Sequence, residues 1–578
     1  HNLSSLVRGL EARLSVSYVQ SGYYDNTFTT TPYKYYLKSY DFETGEHTLA
    51  GKDNALASKT LRAGRGGNTT DTRVTYEGRL YHTAAWGNHQ TSLTGVVQAY
   101  ERTFTPIQSV LNGMPQRNLT YSVRGSYGYK DRYFGEVSVG YNGSERFAKG
   151  NRMGVFPAFG AAWVASNEKW MQRTSDWLSF LKFRFSWGKV GNDGIISTPR
   201  YVYLQDIGST SSGTTKDVEA YRTGGFNRRI INFYGDEDIQ WEIAEQANLG
   251  VETKLFKGLL EIQADIYQEF RHNILSKRYV IPANVGIEVA PLDNIGKTRS
   301  RGIDLSAKIQ HQFSNDFWVI LNGTLTYNKV KYEEIEEATN KPSWQRMKGK
   351  EISQAIGYIA EGLFRDEAEI ANSPRQDGDV MPGDIKYRDL NGDGSITVAD
   401  ATYIGYPETP RLIYGFSGFI NYKRFEFSFS FQGSGKRTFF VNPSAISPFV
   451  GNHAMLTAIY NDHWSEDNMA TRPFWPRLSP QNITAHNPQE NWYAGAETRK
   501  STYFMRECSF LRCTSIQLAY NMPRKLLNKW RMQNMKFFVS TNNPFCFTNF
   551  KLWDVELGEN GFNYPIQRTY SLGFNISF

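Results

Sequence analysis

Apolar and polar residues alternate one by one along much of this chain. At its end Tyr570, Leu572, Phe574, Ile576 and Phe578 are separated by Ser571, Gly573, Asn575 and Ser577. Phe425, Phe427, Phe429 and Phe431 alternate with Glu426, Ser428 and Ser430, and Leu181, Phe183, Phe185 and Trp187 with Lys182, Arg184 and Ser186. Leu260, Ile262, Ala264 and Ile266 alternate with Glu261, Gln263 and Asp265. A period of two places each set on its own face of a strand. The polar sets mix Glu, Asp, Lys and Arg, whereas the apolar sets are mostly Phe, Leu, Ile and Tyr. Two architectures share this pattern. A soluble sandwich would turn the charges to water, and a barrel would turn them to a wet lumen and the apolar row to lipid.

Short turns recur between these segments. Leu119–Tyr129 meets Tyr133–Tyr141 across Lys130-Asp131-Arg132, Leu249–Phe256 meets Leu259–Phe270, and Ile413–Tyr422 meets Phe425–Phe431. Connections this short make antiparallel hairpins. Between hairpins lie long Gly-, Asn-, Ser- and Pro-rich stretches near 204–235, 333–410 and 438–500. Tight turns at one end and long loops at the other are the arrangement of an outer-membrane barrel, and about 14–16 strands are expected. The fold class read here is therefore all-β, a transmembrane antiparallel β-barrel, with residues 1–578 forming one domain.

Composition narrows the rest. Aromatics make up 15% of 578 residues, too many for a disordered chain. Three Cys cannot build a disulfide framework. No apolar run approaches the ~18 residues of a membrane helix. The mean hydropathy of −0.52 does not argue against a membrane, because a spanning strand shows lipid only every second residue. The net charge of +8 is spread out, so no nucleic-acid partner is expected, and no phosphate-binding GxxxxGK[ST] loop occurs. The chain opens at His1 without a signal peptide and is already strand-like from Ser4, which predicts a start inside a domain.

Several segments resemble the TonB-dependent outer-membrane transporters of the SusC/RagA type, from Bacteroidetes. Tyr133–Pro157 (YFGEVSVGYNGSERFAKGNRMGVFP) is similar to that family's strand, its Gly-Ser-x-Arg-Phe turn and the return strand opening with Phe-Pro. Trp177–Asp193 (WLSFLKFRFSWGKVGND), Asn294–Leu305 (NIGKTRSRGIDL) and Phe537–Asn549 (FFVSTNNPFCFTN) resemble further family segments, and Gly383–Gly415 carries the most specific match. A last strand closing on Phe578 resembles the assembly signal of bacterial outer-membrane proteins. The resemblance covers Asn118–Phe578 and implies part of a plugged barrel of about 22 strands, with the plug absent from this sequence. It implies uptake of oligosaccharides or peptides delivered by a SusD-like surface lipoprotein and energised by TonB–ExbB–ExbD through the plug region, in contact with outer-membrane lipid. A siderophore or other metal-chelate receptor is the alternative, and no enzyme is expected.

Two groups of residues are candidate sites. Asp389-Leu390-Asn391-Gly392-Asp393-Gly394-Ser395 matches the D-x-[DN]-x-[DN]-G calcium loop. Asp389, Asn391 and Asp393 would supply side-chain oxygens, Ser395 its carbonyl, and Asp400 takes the twelfth position, where the shorter side chain weakens a Ca2+ site that usually has Glu. The competing reading is an ion-free Gly-Asp turn closed by Asx hydrogen bonds. Trp464, Phe474, Trp475 and Trp492 cluster in one long loop and could stack on a sugar or peptide, or pack the loop onto itself. Asp462-His463-Trp464 lacks a nucleophile elbow and reads as loop structure. Cys508 and Cys513 fall on opposite faces of a strand, against a disulfide between them.

Overall fold

The computed structural model describes residues 7–52, 60–105, 113–194, 200–210, 228–287, 289–376, 378–448, 454–470, 472–479 and 500–578. Sixteen strands form one sheet: β1 (Leu10–Thr29), β2 (Arg62–Trp86), β3 (His89–Thr105), β4 (Gln116–Tyr129), β5 (Tyr133–Ser144), β6 (Met153–Val164), β7 (Leu178–Asn192) and β8 (Glu242–Leu255), followed by β9 (Leu260–Lys277), β10 (Leu292–Ser314), β11 (Phe317–Glu334), β12 (Leu412–Tyr422), β13 (Phe425–Gly435), β14 (Phe510–Asn521), β15 (Asn534–Thr548) and β16 (Thr569–Ser577). Each strand pairs antiparallel with its predecessor and successor, and β1 and β16 stand at the two ends of this order among the described residues.

The register carries the alternation across the sheet. Leu249 lies opposite both Phe185 and Ile266, Ile266 opposite Ile303, and Ile303 opposite Tyr327. This apolar row is open: Leu249, Ile266 and Ile303 are 54%, 60% and 46% exposed. That decides the architecture, because a sandwich would bury the row between two sheets, and here it faces outward along a barrel wall. The other face is charged. Arg102 Nε reaches Asp71 at 2.8 Å, Arg124 reaches Glu136 at 2.6 Å, Arg184 Nη2 reaches Asp265 at 2.6 Å, and Lys536 pairs with Glu426. Ion pairs between adjacent strands, or across one intervening strand as in Arg184–Asp265 and Lys536–Glu426, fit a hydrated lumen, where each is worth little alone.

The two ends of the wall differ. At one end β2–β3, β4–β5, β8–β9, β10–β11 and β12–β13 are joined by tight turns. Lys130 and Asp131 adopt φ of 53° and 52°, and Phe256 and Lys257 adopt 54° and 58°. Such left-handed pairs match the twist of the strands they join, here within loops of three residues (130–132) and four residues (256–259). Aromatic rings gather at this rim: Phe313 stacks on Phe317 at 4.6 Å, Phe317 meets Tyr422 at 5.7 Å, and Phe425 meets Tyr520 at 5.0 Å. They form the interfacial girdle of a membrane barrel. At the opposite end stand the long connections.

Candidate functional site

The described residues of the long loops are folded. Ala355–Tyr358 pairs antiparallel with Thr402–Ile404 and parallel with Lys500–Ser501, and Ala360–Leu363 pairs with Ile385–Tyr387. Thr438–Phe440 pairs with Met505–Glu507. These small sheets enclose the largest buried cluster among the described residues, with Tyr358, Ile385, Val441, Ile446, Ile459 and Phe504 almost without solvent contact. The protein's dense core therefore sits in the loop assembly at the barrel mouth, while the wall itself has none between sheets.

Phe474 and Trp475 belong to that core, at 9% and 5% exposure, and Trp464 packs against it. The Trp475 ring meets Phe504 at 5.7 Å. Trp464 N–H donates to the Trp475 carbonyl, Trp475 N–H to the Asp462 carbonyl, and Phe474 N–H to Asp462 Oδ2. Phe474 and Trp475 thus pack within the loop core, while Trp464 stays partly exposed to solvent. Trp492 lies outside the described residues. Gly383 shows how tight the packing is: it takes φ of +87°, and a Cβ there would stand 2.4 Å from the Trp464 ring.

Beside it lies a buried ion pair. Asp384 is fully buried; Arg477 Nε donates to its Oδ1 at 2.7 Å, and Met381 N–H donates to its Oδ2 at 3.0 Å. Burial pushes the Asp384 carboxyl up to about 6, with the Arg477 hydrogen bond acting in the opposite direction. Sequence offered no sign of this pair.

The 389–400 loop closes on its own hydrogen bonds. Asp389 accepts from the N–H groups of Gly392 and Gly394, Asn391 Oδ1 from Asp393, and Asp393 Oδ1 from Ser395. These donors hold the Asp389 carboxyl below the usual carboxylate range, with the Gly394 N–H contributing most. Gly392 and Gly394 take φ of +74° and +83°, which the turn requires. Asp400 is fully buried and committed elsewhere: Oδ1 accepts from Leu390 and Asn391 N–H, and Oδ2 from Thr397 N–H, capping the turn Val398–Asp400. The side-chain oxygens of Asp389, Asn391 and Asp393 thus accept hydrogen bonds from within the loop, and Asp400 shapes it from below. Among the described residues no group of three or more His, Cys, Asp or Glu side chains stands in a metal-binding arrangement.

Below the mouth the inner wall lines a groove of about 1110 Å3, bordered by Glu136, Asn248, Tyr267, Glu269, Arg271 and Asp304. Asp265 and Asp304 face each other across β9 and β10. Oxygen Oδ1 of each is shielded from solvent without a hydrogen-bond partner. Gly250 and Gly302 give these side chains room, since a Cβ would meet Asp265 Oδ1 at 2.6 Å or the Tyr267 ring at 2.3 Å. Cys508, Cys513 and Cys546 are free thiols.

Comparison with known proteins follows the same lines. The family described as TonB dependent receptor-like, beta-barrel matches residues 5–464. The TonB-dependent receptor P26 of Formosa agariphila is 25% identical over 509 residues, covering 82% of this chain and 48% of that protein. The TonB-dependent receptor SusC of Bacteroides thetaiotaomicron is 25% identical over 482 residues, covering 80% of this chain and 44% of that protein. The chain thus spans about half the length of the curated relatives it matches. Among solved structures the RagAB peptide transporter superposes with a TM-score of 0.70 at 18% identity, over 99% of this chain and 60% of that one, a likeness of fold.

Proposed function

This chain belongs to the TonB-dependent receptor-like β-barrel family of the bacterial outer membrane, and from that premise we propose that it forms most of the wall and the mouth of a nutrient importer. The observation that carries this reading is the division of the sheet into an outward apolar face and an inward ion-paired face, topped by a rigid loop assembly. A water-filled wall neither selects nor drives. In this reading selection is made at the mouth, where a SusD-like lipoprotein delivers an oligosaccharide or peptide, and the driving force reaches the barrel through TonB–ExbB–ExbD. The wall's own contribution is passive: Arg184, Glu252, Asp265 and their neighbours keep the lumen wet. We further propose that the 389–400 loop binds Ca2+ weakly through Asp389, Asn391, Asp393 and the Ser395 carbonyl.

The test is growth of a deletion strain on oligosaccharides and on peptides as sole nutrient, with complementation by the full-length gene and with the proton-motive force collapsed. Energy-dependent loss of growth on one of these substrate classes, with a surface lipoprotein co-purifying, is the expected result. A defect confined to iron or copper limitation, with no lipoprotein partner, would replace this reading with a metal-chelate receptor.

A further inference from the structure

The outward face of β10 and β11 changes character abruptly toward the long-loop end. Leu305 and Ile303 on β10, and Leu325 and Tyr327 on β11, belong to the apolar row. The next two outward positions on each strand are basic. Arg301 lies directly opposite Lys329, and Arg299 directly opposite Lys331. Two consecutive like-charge pairs facing across a ladder are unfavourable, so the sheet accepts a local cost at this point. A fifth cation joins them: Lys436 is exposed and holds its Nζ 5.4 Å from the centre of the Tyr327 ring.

Nearby carboxylates answer only part of this charge. Glu333 pairs with Arg299 at 2.9 Å, and Glu351 lies 3.3 Å from Lys329 while also pairing with Arg411. Among the described residues no carboxylate lies within ion-pair distance of Arg301, Lys331 or Lys436, and Arg301 Nε donates to the neutral Gln268 side chain at 2.8 Å. The height of the patch is equally specific. Arg301 and Lys329 sit two residues beyond Ile303 and Tyr327, roughly 7 Å along the strands. That step leads from a zone where a bare charge is costly into the polar edge of a bilayer. At the short-turn end the outward face of these two strands carries the Phe313 and Phe317 rings instead.

We propose that this ledge docks the phosphate-bearing headgroup of an anionic lipid in the leaflet at the long-loop end, with Arg301, Lys331 and Lys436 as the donors. Guanidinium offers paired N–H groups to phosphate, and the two ammonium groups add point charges to either side. The acyl chains then lie down the row from Ile303 to Leu305. The proposal rests on the membrane-spanning reading of the barrel and adds a specific lipid partner to it.

The test uses the full-length protein in nanodiscs of zwitterionic phospholipid, alone or doped with diphosphorylated lipid A, and native mass spectrometry of the lipid retained on extraction. The triple variant Arg301→Gln, Lys331→Gln, Lys436→Gln is compared with a triple at the short turns, Lys130→Gln, Lys257→Gln, Lys423→Gln. Loss of three surface cations predicts roughly a hundredfold weaker retention for the first triple, and wild-type retention for the second. Equal retention by all three proteins, or equal retention of dephosphorylated lipid A, would overturn the proposal. So would loss from the first triple of a co-purifying acidic protein with lipid unchanged. Resistance of each variant to heat denaturation in detergent separates misfolding from lost binding. Failure of the wild type to enter nanodiscs at all would instead reject the membrane-spanning reading.

Discussion

Replacing Arg477 by Met leaves the carboxyl of Asp384 buried without its guanidinium. In the intact protein Asp384 titrates near 6 against an ordinary value of 3.8, so its ionised form is disfavoured by about 3 kcal/mol. A carboxyl raised in this way holds its proton in the folded assembly at pH values where the unfolded loop has lost it. The contribution of this group to stability is therefore greatest below pH ~4, falls as pH rises toward ~6 and is level beyond. Arg477 opposes that rise, so Arg477→Met moves the titration higher still and extends the loss above pH 6. Breaking a buried pair costs about 3–5 kcal/mol, which local opening reports as protection lost by a hundredfold or more. The assay is hydrogen exchange across 360–388, where Phe364 N–H donates to the Asp384 carbonyl at 2.9 Å, at pH 5 and pH 8 after correction for intrinsic rates. Arg477→Met should exchange faster at pH 8 and recover at pH 5, and Asp384→Asn with Arg477→Met should lie close to wild type at both. Unchanged protection at pH 8, or equal loss at the two pH values, would refute the reasoning.

Further outcomes are expected elsewhere. Asp131→Gly relieves a left-handed φ of 52° in the β4–β5 turn and should stabilise by about 1 kcal/mol, seen as a higher urea midpoint. Ile266→Arg puts a charge among lipid-facing side chains and should cost about 2–4 kcal/mol, read as reduced folded yield in heat-modifiability gels; wild-type yield would contradict the outward placement. Gly302→Ala would crowd the Tyr267 ring and should destabilise by about 1–3 kcal/mol, with Gly302→Ala plus Tyr267→Ala recovering much of it. In the 389–400 loop, Asp400→Ala should lower the melting temperature more than Asp389→Ala, because Asp400 serves three N–H donors and Asp389 two. Isothermal titration should give a millimolar Ca2+ affinity that Asp389→Ala abolishes; micromolar binding surviving that change would contradict the assigned donors.

The wall could be read from sequence because a strand exposes its pattern locally. Phe425 to Phe431 or Leu260 to Ile266 each declare two faces within seven residues, and the turns at Lys130 and Lys423 mark where each pair folds back. The loop assembly could not be read in this way. Its core joins Tyr358, Ile385, Val441 and Phe504, which share no period, and its ion pair spans 93 residues. Aromatics in such a stretch look the same whether they await a ligand or each other, and the burial of Phe474 and Trp475 against Phe504 and its neighbours depends on contacts far apart in sequence. The Asp389 motif was visible, but the commitment of Asp400 to backbone donors depends on how the loop closes. The opposed pairs Asp265 with Asp304 and Arg301 with Lys329 follow from register, which links strands only after pairing.

The placing of the buried core has a consequence for how the protein comes apart. Tyr358, Ile385, Val441 and Phe504 are packed in the loop assembly, whereas the wall is held by its ladder of strand pairs. Two structures held by different forces open at different cost. Mild denaturant should therefore loosen the mouth first and leave the strand ladder paired.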